Sequence, residues 1–226
     1  MDETSSYSMY YFTTTTIGII SVVLNLLWVV KDLGGFAWSS KTSQFNWHPF
    51  LMLFSFVFIY SQSILVYRTG KRHMSKPNLK YLHAFLHVVS FICAVIGLHA
   101  AFESNVKGER ENLHSLHSWI GIITVIIFAV QLLCGLSAYL FPVLESNAKA
   151  LFFPHHVFYG TMAFVLAIIT TISGVTEMTM LVPNYSTLPS VAYLINIMGI
   201  TIVMHGVLTL YLLFKPEFGT LPLANN

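Results

Sequence analysis

Histidine is the residue type in this sequence that is best placed to do chemistry. The chain of 226 residues contains ten histidines, although 55% of its residues are hydrophobic and only 9% are charged. Ionisable side chains in or near hydrocarbon are costly, so they usually have a function. An imidazole nitrogen can bind a metal ion. The candidates that lie near the start of a long apolar stretch are His48, His83, His117, His155 and His156.

Six apolar stretches must position these histidines. A helix of about 20 apolar residues crosses the roughly 30 Å of hydrocarbon in a bilayer, and each stretch is long enough. The predicted helices cover approximately residues 10–30, 48–67, 79–102, 117–141, 155–180 and 191–214. The sequence therefore predicts an all-α, multi-pass membrane protein with a single domain over residues 1–226 and both termini on one side.

The distribution of Lys and Arg predicts which side the termini occupy. With cytoplasmic termini, four basic residues fall outside and seven fall inside: Arg68, Lys71, Arg72, Lys76, Lys80, Lys149 and Lys215. Basic residues favour the cytoplasmic side, so both termini are expected there. The glycosylation sequon at Asn184 falls in a loop that this orientation places outside. The plasma membrane and an endosomal or secretory vesicle membrane are both compatible locations.

The alternating direction of the helices pairs the histidines by depth. His48 and His117 come out near the non-cytoplasmic surface, and His83 and His156 near the cytoplasmic surface. Two imidazoles that face each other in a helix bundle are what a six-coordinate haem b requires. The absence of a CxxCH motif indicates non-covalent binding. The pattern predicts two haems within a central four-helix bundle of helices 2–5.

Small residues share the helical faces of two of these histidines. The face of His83 continues with Ser90, Ala94, Gly97 and Ala101, and that of His156 with Gly160, Ala163, Ala167 and Gly174. Such faces leave room for a flat ring system, but they also pack membrane helices without any cofactor. His155 shares its face with bulkier residues, so His156 is the preferred ligand. The face of His117 continues with Gly121 and Thr124, and that of His48 with Met52 and Ser55. His87, one turn from His83, remains the rival ligand or a neighbouring group.

Other classes of function are weighed against this one. The net charge of +2 is too small to indicate a nucleic-acid partner. A metal-ion or proton transporter that uses membrane histidines is the alternative, and it predicts acidic residues along the spans. The apolar stretches contain almost none. His205, alone in the middle of helix 6, is expected to be a hydrogen-bonded interior residue.

Several segments resemble the cytochrome b561 family, the six-helix, two-haem reductases that move electrons from cytoplasmic ascorbate across a membrane. The matching segments run through nearly the whole chain: Gly34–Trp38, Phe45–Pro49, Leu65–Arg68, Leu82–Ala84, Ser115–Trp119, Pro154–Val157 and Tyr185–Ser186. The resemblance implies the same two ligand pairs that the topology predicts. It also implies a transmembrane ascorbate-dependent oxidoreductase, commonly a homodimer, of the ferric reductase or monodehydroascorbate reductase type.

Basic residues near the predicted cytoplasmic ends of the helices form the expected ascorbate site. Ascorbate is a monoanion at neutral pH, and Arg68, Lys76, Lys80 and Lys149 are expected around the inner haem. Lys80 precedes His83 by one helical turn and so shares its face. The resemblance also implies ascorbate binding at Lys76, Lys80 and Lys149. These same charges could instead serve orientation and bind lipid headgroups.

Two residues depart from the family pattern on the side of the electron acceptor. Asn105 stands where members often carry a histidine, and His114 stands where they often carry a tyrosine. We hypothesise that His114 supplies some of the polar or metal-binding role that Asn105 lacks. The acceptor is expected to be a ferric or cupric ion or the ascorbyl radical.

Overall fold

The computed structural model describes residues 3–70, 73–141 and 145–216, so Lys71 and Arg72 of the predicted basic loop lie outside the described residues. Six helices are long and apolar enough to cross a membrane. We name them α1 to α6: Glu3–Lys31, Lys41–Thr69, Lys76–Lys107, Leu116–Leu140, Ser146–Thr179 and Ser190–Phe214. The described residues contain no strand. The predicted all-α membrane protein with six transmembrane helices is confirmed.

All six helices begin before the apolar stretches that predict them, and four of them, α1, α2, α3 and α5, do so by three residues or more. The largest difference is at α5, which is expected from residue 155 and begins at Ser146. A criterion based on apolar residues finds only the part of a helix that crosses hydrocarbon, whereas the hydrogen-bonded helix continues into the polar interface. Pro154 lies inside α5, where it cannot donate the usual backbone hydrogen bond to the carbonyl four residues earlier.

The second helix is irregular in its middle. Residues Leu53–Ile59 are π-helical, between the α-helical segments Trp47–Met52 and Tyr60–Thr69. The carbonyl of Ser55 accepts hydrogen bonds from the backbone N–H of Tyr60 and from Ser90 Oγ at 2.9 Å on α3. A π segment changes the register of the residues that follow it. Residues after Leu53 therefore face directions that a regular helical period from His48 does not predict.

The second helix also lies at the centre of the bundle. It contacts α1, α3, α5 and α6, while α1 packs mainly on α6 and α4 mainly on α5. In its most apolar window 61% of the residues are buried, compared with 17% in α4. A helix that exposes most of its apolar residues in a membrane protein presents them to lipid. The central position lets α2 contribute groups at both ends of the bundle.

Candidate functional site

The first pair of predicted ligands, which we call pair A, consists of His48 on α2 and His117 on α4. Their ring centroids are 6.0 Å apart and their ring planes are inclined by 84°. With metal–nitrogen bonds of about 2 Å, two imidazoles on opposite sides of one metal ion have ring centres roughly 6 Å apart. The distance between the rings of pair A therefore leaves room for one metal ion between the two imidazoles.

Backbone carbonyls on two other helices orient the rings of pair A. His48 Nδ1 lies 3.2 Å from the carbonyl oxygen of Gly97 on α3, and His117 Nδ1 lies 2.9 Å from that of Thr170 on α5. A carbonyl can only accept, so each Nδ1–H donates. The lone pair of each Nε2 is then available to a metal, an arrangement common among metal-binding histidines. Four helices together define pair A.

A small residue and a helix cap determine where His117 lies. A Cβ atom at Gly174 on α5 would be 2.7 Å from His117 Cε1, closer than non-bonded carbon atoms approach. Only glycine therefore leaves room for the ring. Ser115 and Ser118 form a reciprocal capping box at the start of α4, which satisfies backbone groups at the helix terminus. His117 is the second residue after that cap, so its position on α4 is well defined.

A cavity of about 670 Å³ opens beside pair A, a size typical of small-molecule and cofactor sites. Both histidines line it, as do Met52, Gly121 and Thr124 of their predicted faces. Ser55, the other residue expected on the face of His48, does not line the cavity; it is buried, and its carbonyl accepts a hydrogen bond from Ser90 Oγ. Ser55 lies within the π segment Leu53–Ile59, which changes the helical register after Met52.

The second pair, which we call pair B, consists of His83 on α3 and His156 on α5. Their ring centroids are 6.4 Å apart, again close to the spacing of two ligands of one iron. His83 Nδ1 donates to the carbonyl of Ser63 at 2.9 Å, and Ser63 Oγ donates to the carbonyl of His83, also at 2.9 Å. His155 is exposed. The ring that faces His83 is that of His156, the residue after His155.

The surroundings of His156 differ from those of the other three histidines. Its Nδ1 is buried and has no hydrogen-bond partner among the described residues. A Cβ at Gly135 would be 3.1 Å from its Cε1, and the rings of Tyr139 and Phe152 lie 5.6 and 5.9 Å away. Gly135 and Tyr139 are not identified by the sequence pattern, because they lie on a different helix from the histidine that they contact.

His87 occupies the interior next to pair B. Its ring centroid is 4.5 Å from that of His83 and 5.0 Å from that of Tyr60, and its buried Nδ1 has no partner among the described residues. The ring contact with His156 is made by His83. His87 is thus a neighbour of pair B, which is one of the two roles that the sequence left open for it.

Aromatic rings fill the interior between the two pairs. The ring of His87 is 5.4 Å from that of Phe128, which is 4.8 Å from that of Phe56, and Phe56 lines the cavity beside pair A. Tyr60 is buried in the same cluster, and its hydroxyl donates to the carbonyl of Gly160 at 2.7 Å. Packed rings therefore run from His87, which contacts pair B, to the wall of the cavity beside pair A.

The basic residues predicted to bind the donor lie on the helix ends nearest pair B. Lys76 is exposed, and Lys80 is partly exposed one turn before His83. Lys149 lies on α5, where its carbonyl accepts from the hydroxyl of Tyr139 at 3.2 Å. Arg68 is less available, because its guanidinium donates to the carbonyl of Lys215 at 3.0 Å.

The two predicted acceptor-side residues both line the cavity beside pair A. Asn105 Nδ2 donates to Asn112 Oδ1 at 3.0 Å, and His114 Nδ1 donates to the carbonyl of Glu111 at 3.1 Å. The structure also places Arg110 in the lining, a residue that the sequence pattern does not single out. Within the described ranges, no group of three His, Cys, Asp or Glu side chains is arranged to hold a metal ion.

The remaining interior histidine is used in packing. His205 on α6 is buried, its Nδ1 donates to the carbonyl of Thr14 at 2.9 Å, and its Nε2 is 2.8 Å from Ser61 Oγ. Both ring nitrogens are thus occupied by groups on α1 and α2. This is the interior, hydrogen-bonded role expected from the sequence.

Comparisons with known proteins find a family match and relatives that cover nearly the whole chain. The family model described as eukaryotic cytochrome b561 matches residues 47–182, which contain all four histidines of pairs A and B. The chain is 33% identical over 222 residues to the plasma membrane ascorbate-dependent reductase of Xenopus tropicalis, covering 96% of this chain and 78% of that relative. It is 38% identical over 216 residues to the lysosomal membrane ascorbate-dependent ferrireductase of Bos taurus, with coverage of 90% and 81%.

A third relative is the transmembrane ascorbate-dependent reductase of Mus musculus, which is 35% identical over 204 residues. The alignment covers 89% of this chain and 81% of that protein. Identity at this level over nearly the whole length, together with the family model, leaves no other assignment. The chain belongs to the cytochrome b561 family.

Proposed function

We propose that this protein transfers single electrons from cytoplasmic ascorbate, through two b-type haems, to an acceptor on the other side of the membrane. The general activity, that of a transmembrane ascorbate-dependent oxidoreductase, rests on the relatives, whose names all describe ascorbate-dependent reductases. In the proposal pair A holds the non-cytoplasmic haem and pair B the cytoplasmic haem. The acceptor is a ferric or cupric ion or the ascorbyl radical.

The observation that carries the proposal is the geometry of the two pairs. Ring centroids 6.0 and 6.4 Å apart match the spacing of axial ligands, and three of the four rings donate Nδ1–H to a backbone carbonyl. Gly174 leaves room for the ring of His117, and Gly135 leaves room for the ring of His156. These residues fit haem. When bound, haem with two histidine ligands supplies outer-sphere, one-electron chemistry, since the iron has no open position.

In the proposal, the side chains of this protein hold and orient the haems and keep water out of the space between them. The carbonyls of Gly97, Thr170 and Ser63 keep a proton on Nδ1 of His48, His117 and His83, so the lone pair of each Nε2 is available to a metal. The aromatic cluster around Phe128 excludes water from the interior between the pairs. Such a rigid, dry interior requires no moving part for an electron to cross.

The donor site in the proposal is the basic surface next to pair B. Lys76 and Lys80 lie one turn apart on α3, and Lys149 lies beside Tyr139, whose ring contacts His156. Cations at this position attract the ascorbate monoanion by long-range electrostatics. Arg68 contributes positive charge, although the carbonyl of Lys215 already accepts from it.

Orientation, assembly and location complete the proposal. Cytoplasmic termini are supported by the excess of basic residues at the facing ends of α2 and α3 and in the segment between them, together with Lys149 near the start of α5. We include a homodimer because the family resemblance implies it. The plasma membrane and an endosomal or secretory membrane remain the candidate locations, and relatives from plasma and lysosomal membranes support both kinds.

A visible spectrum of the purified protein tests the proposal against the alternative of a metal-ion or proton transporter. We expect reduced-haem absorption that corresponds to two haems per chain, and reduction of both haems by ascorbate. A protein that is folded and helical by circular dichroism but lacks haem absorption would contradict the proposal. Proteoliposomes loaded with ascorbate then identify the acceptor, when ferric, cupric and ascorbyl radical acceptors are supplied outside.

A further inference from the structure

The mouth of the cavity beside pair A is built by the segment between α3 and α4. Arg110, Asn112, Leu113 and His114 of that segment all line the cavity. Among the lining residues, which are all in the described ranges, Arg110 is the only Lys or Arg and Glu177 the only Asp or Glu. The mouth therefore carries one permanent cation next to amide and imidazole groups.

This segment is held in a defined conformation. Glu109 and Leu113 have φ values of 54° and 56°, in the left-handed region that residues with a Cβ rarely adopt. The backbone N–H of Arg110 donates to the carbonyl of Asn105 at 3.0 Å, and Trp119 Nε1 donates to the carbonyl of Leu113 at 2.8 Å. Unfavourable backbone angles persist where surrounding contacts determine them, often at binding sites.

The side chain of Arg110 lies close to pair A. Its guanidinium carbon is 6.0 Å from the ring centroid of Phe45, and that ring is 5.7 Å from the ring of His48. No carboxylate of the described residues forms an ion pair with it. Of the neighbouring acids, Glu109 and Glu111 do not line the cavity, and Glu177 lines it from the end of α5. The five N–H donors of the guanidinium are thus available for a ligand.

Other groups at the mouth also favour an anion over a bare metal ion. Asn112 Oδ1 accepts from Asn105, which leaves the Nδ2 hydrogens of Asn112 as donors. No three metal-ligating side chains come together in the part of the chain that the structure describes. A planar guanidinium, in contrast, binds carboxylates and similar oxygen anions through two parallel hydrogen bonds.

We propose that Arg110, assisted by Asn112, binds the electron acceptor and selects acceptors that present anionic oxygens. This inference rests on the proposed function and specifies its acceptor: a ferric ion held in an anionic carboxylate chelate, or the ascorbyl radical anion. For the chelate, cytoplasmic ascorbate loses one electron and one proton, and the ferric chelate gains the electron to become ferrous. For the radical, the acceptor takes up one electron and one proton and becomes the ascorbate monoanion.

The test uses the haem-loaded protein in proteoliposomes with ascorbate inside and one of three acceptors outside. Ferric citrate and the ascorbyl radical are the two anions, and hexaammineruthenium(III) is a cation. We expect Arg110→Gln to raise the KM for an anionic acceptor at least roughly tenfold, or about 1.4 kcal/mol, and to leave the rate with the cation unchanged. Arg110→Lys should recover part of the affinity, since it keeps the charge but loses the paired donors. An effect on only one anion identifies which of the two is the acceptor.

Lys107→Gln is the matched control, because Lys107 lies on the same side, pairs with Glu103 at 2.8 Å and does not line the cavity. It should behave like the parent. Unchanged KM values in Arg110→Gln would overturn the inference. So would a loss of haem or a shifted haem midpoint potential in that variant, because Arg110 would then serve the haem and not the acceptor. Absent haem bands in the parent would instead contradict the proposed function.

Discussion

Pairs A and B have nearly the same ring spacing but different surroundings. In pair A both Nδ1 groups donate to carbonyls of other helices, and a cavity of about 670 Å³ opens toward a polar mouth. In pair B only His83 is anchored in this way, while His156 has no partner among the described residues. The comparison shows that nearly the same ring spacing is reached in two ways. In pair A hydrogen bonds orient both rings, whereas in pair B a hydrogen bond orients His83 and only packing positions His156.

The difference also bears on what each pair meets at its surface. Pair B is bordered by rings and by Lys80 and Lys149, which suit a small anionic donor. Pair A is bordered by Arg110 and Asn112, which lie in a segment with left-handed residues, and by Asn105 near the end of α3. Each end therefore carries positive charge, on lysines at one end and on an arginine at the other. Lysine acts as a point charge, whereas arginine adds directional hydrogen bonds.

Removal of a proposed haem ligand should have the largest effect, because the haem that it would hold would lose one of its two histidines. We expect His48→Ala or His117→Ala to lose mainly the haem of pair A, and His83→Ala or His156→Ala mainly that of pair B. Haem per chain, measured from the visible spectrum, gives the result. If His83→Ala kept two haems and His87→Ala lost one, the ligand on α3 would be His87.

Substitution of the two glycines should have the next largest effect and should distinguish the pairs. A Cβ at Gly174 would lie 2.7 Å from His117, and one at Gly135 would lie 3.1 Å from His156. We therefore expect Gly174→Ala to lower the haem content of pair A more than Gly135→Ala lowers that of pair B. Gly199→Ala on α6 is the control, since nothing lies within 4 Å of a Cβ there and α6 carries no histidine of either pair. Equal haem content in all three variants would show that the rings can shift freely.

Removal of the lysine next to His83 should affect rate and leave haem content intact. We expect Lys80→Ala to slow reduction by ascorbate at least roughly tenfold, which corresponds to about 1.4 kcal/mol of lost stabilisation. Dithionite should still reduce both haems fully. Lys31→Ala, at the opposite end of the bundle, is the control. Identical ascorbate kinetics in Lys80→Ala and the parent would mean that these lysines serve orientation alone.

The smallest effect is expected at the exposed histidine of the acceptor side. His114→Ala should lower the rate of ferric reduction, because His114 lines the cavity beside pair A and its Nδ1 donates to the carbonyl of Glu111, which leaves the lone pair on Nε2. Reduction of the haems by ascorbate should remain as in the parent. Stopped-flow absorbance separates the two half-reactions, and an unchanged ferric rate would remove His114 from the acceptor site.

The sequence alone predicts the six spans and the division of the histidines between two depths. Both follow from one-dimensional information: the length of apolar stretches and the alternation of helix direction. The preference for His156 over His155 is also local, because neighbours at helical spacing differ in size. The choice between His83 and His87 cannot be made from local sequence, because the two histidines lie one turn apart on the same face of one helix.

Only the tertiary structure shows which groups on other helices support each histidine. The carbonyls of Gly97 and Thr170, and the space at Gly135, lie on helices other than those of the rings that they contact. The π segment of α2 changes the register on which a periodic reading depends. The position of Arg110 at the cavity mouth follows from left-handed residues in the segment around it. Contacts between distant segments and irregular backbone have no period in the sequence, so the folded chain alone determines them.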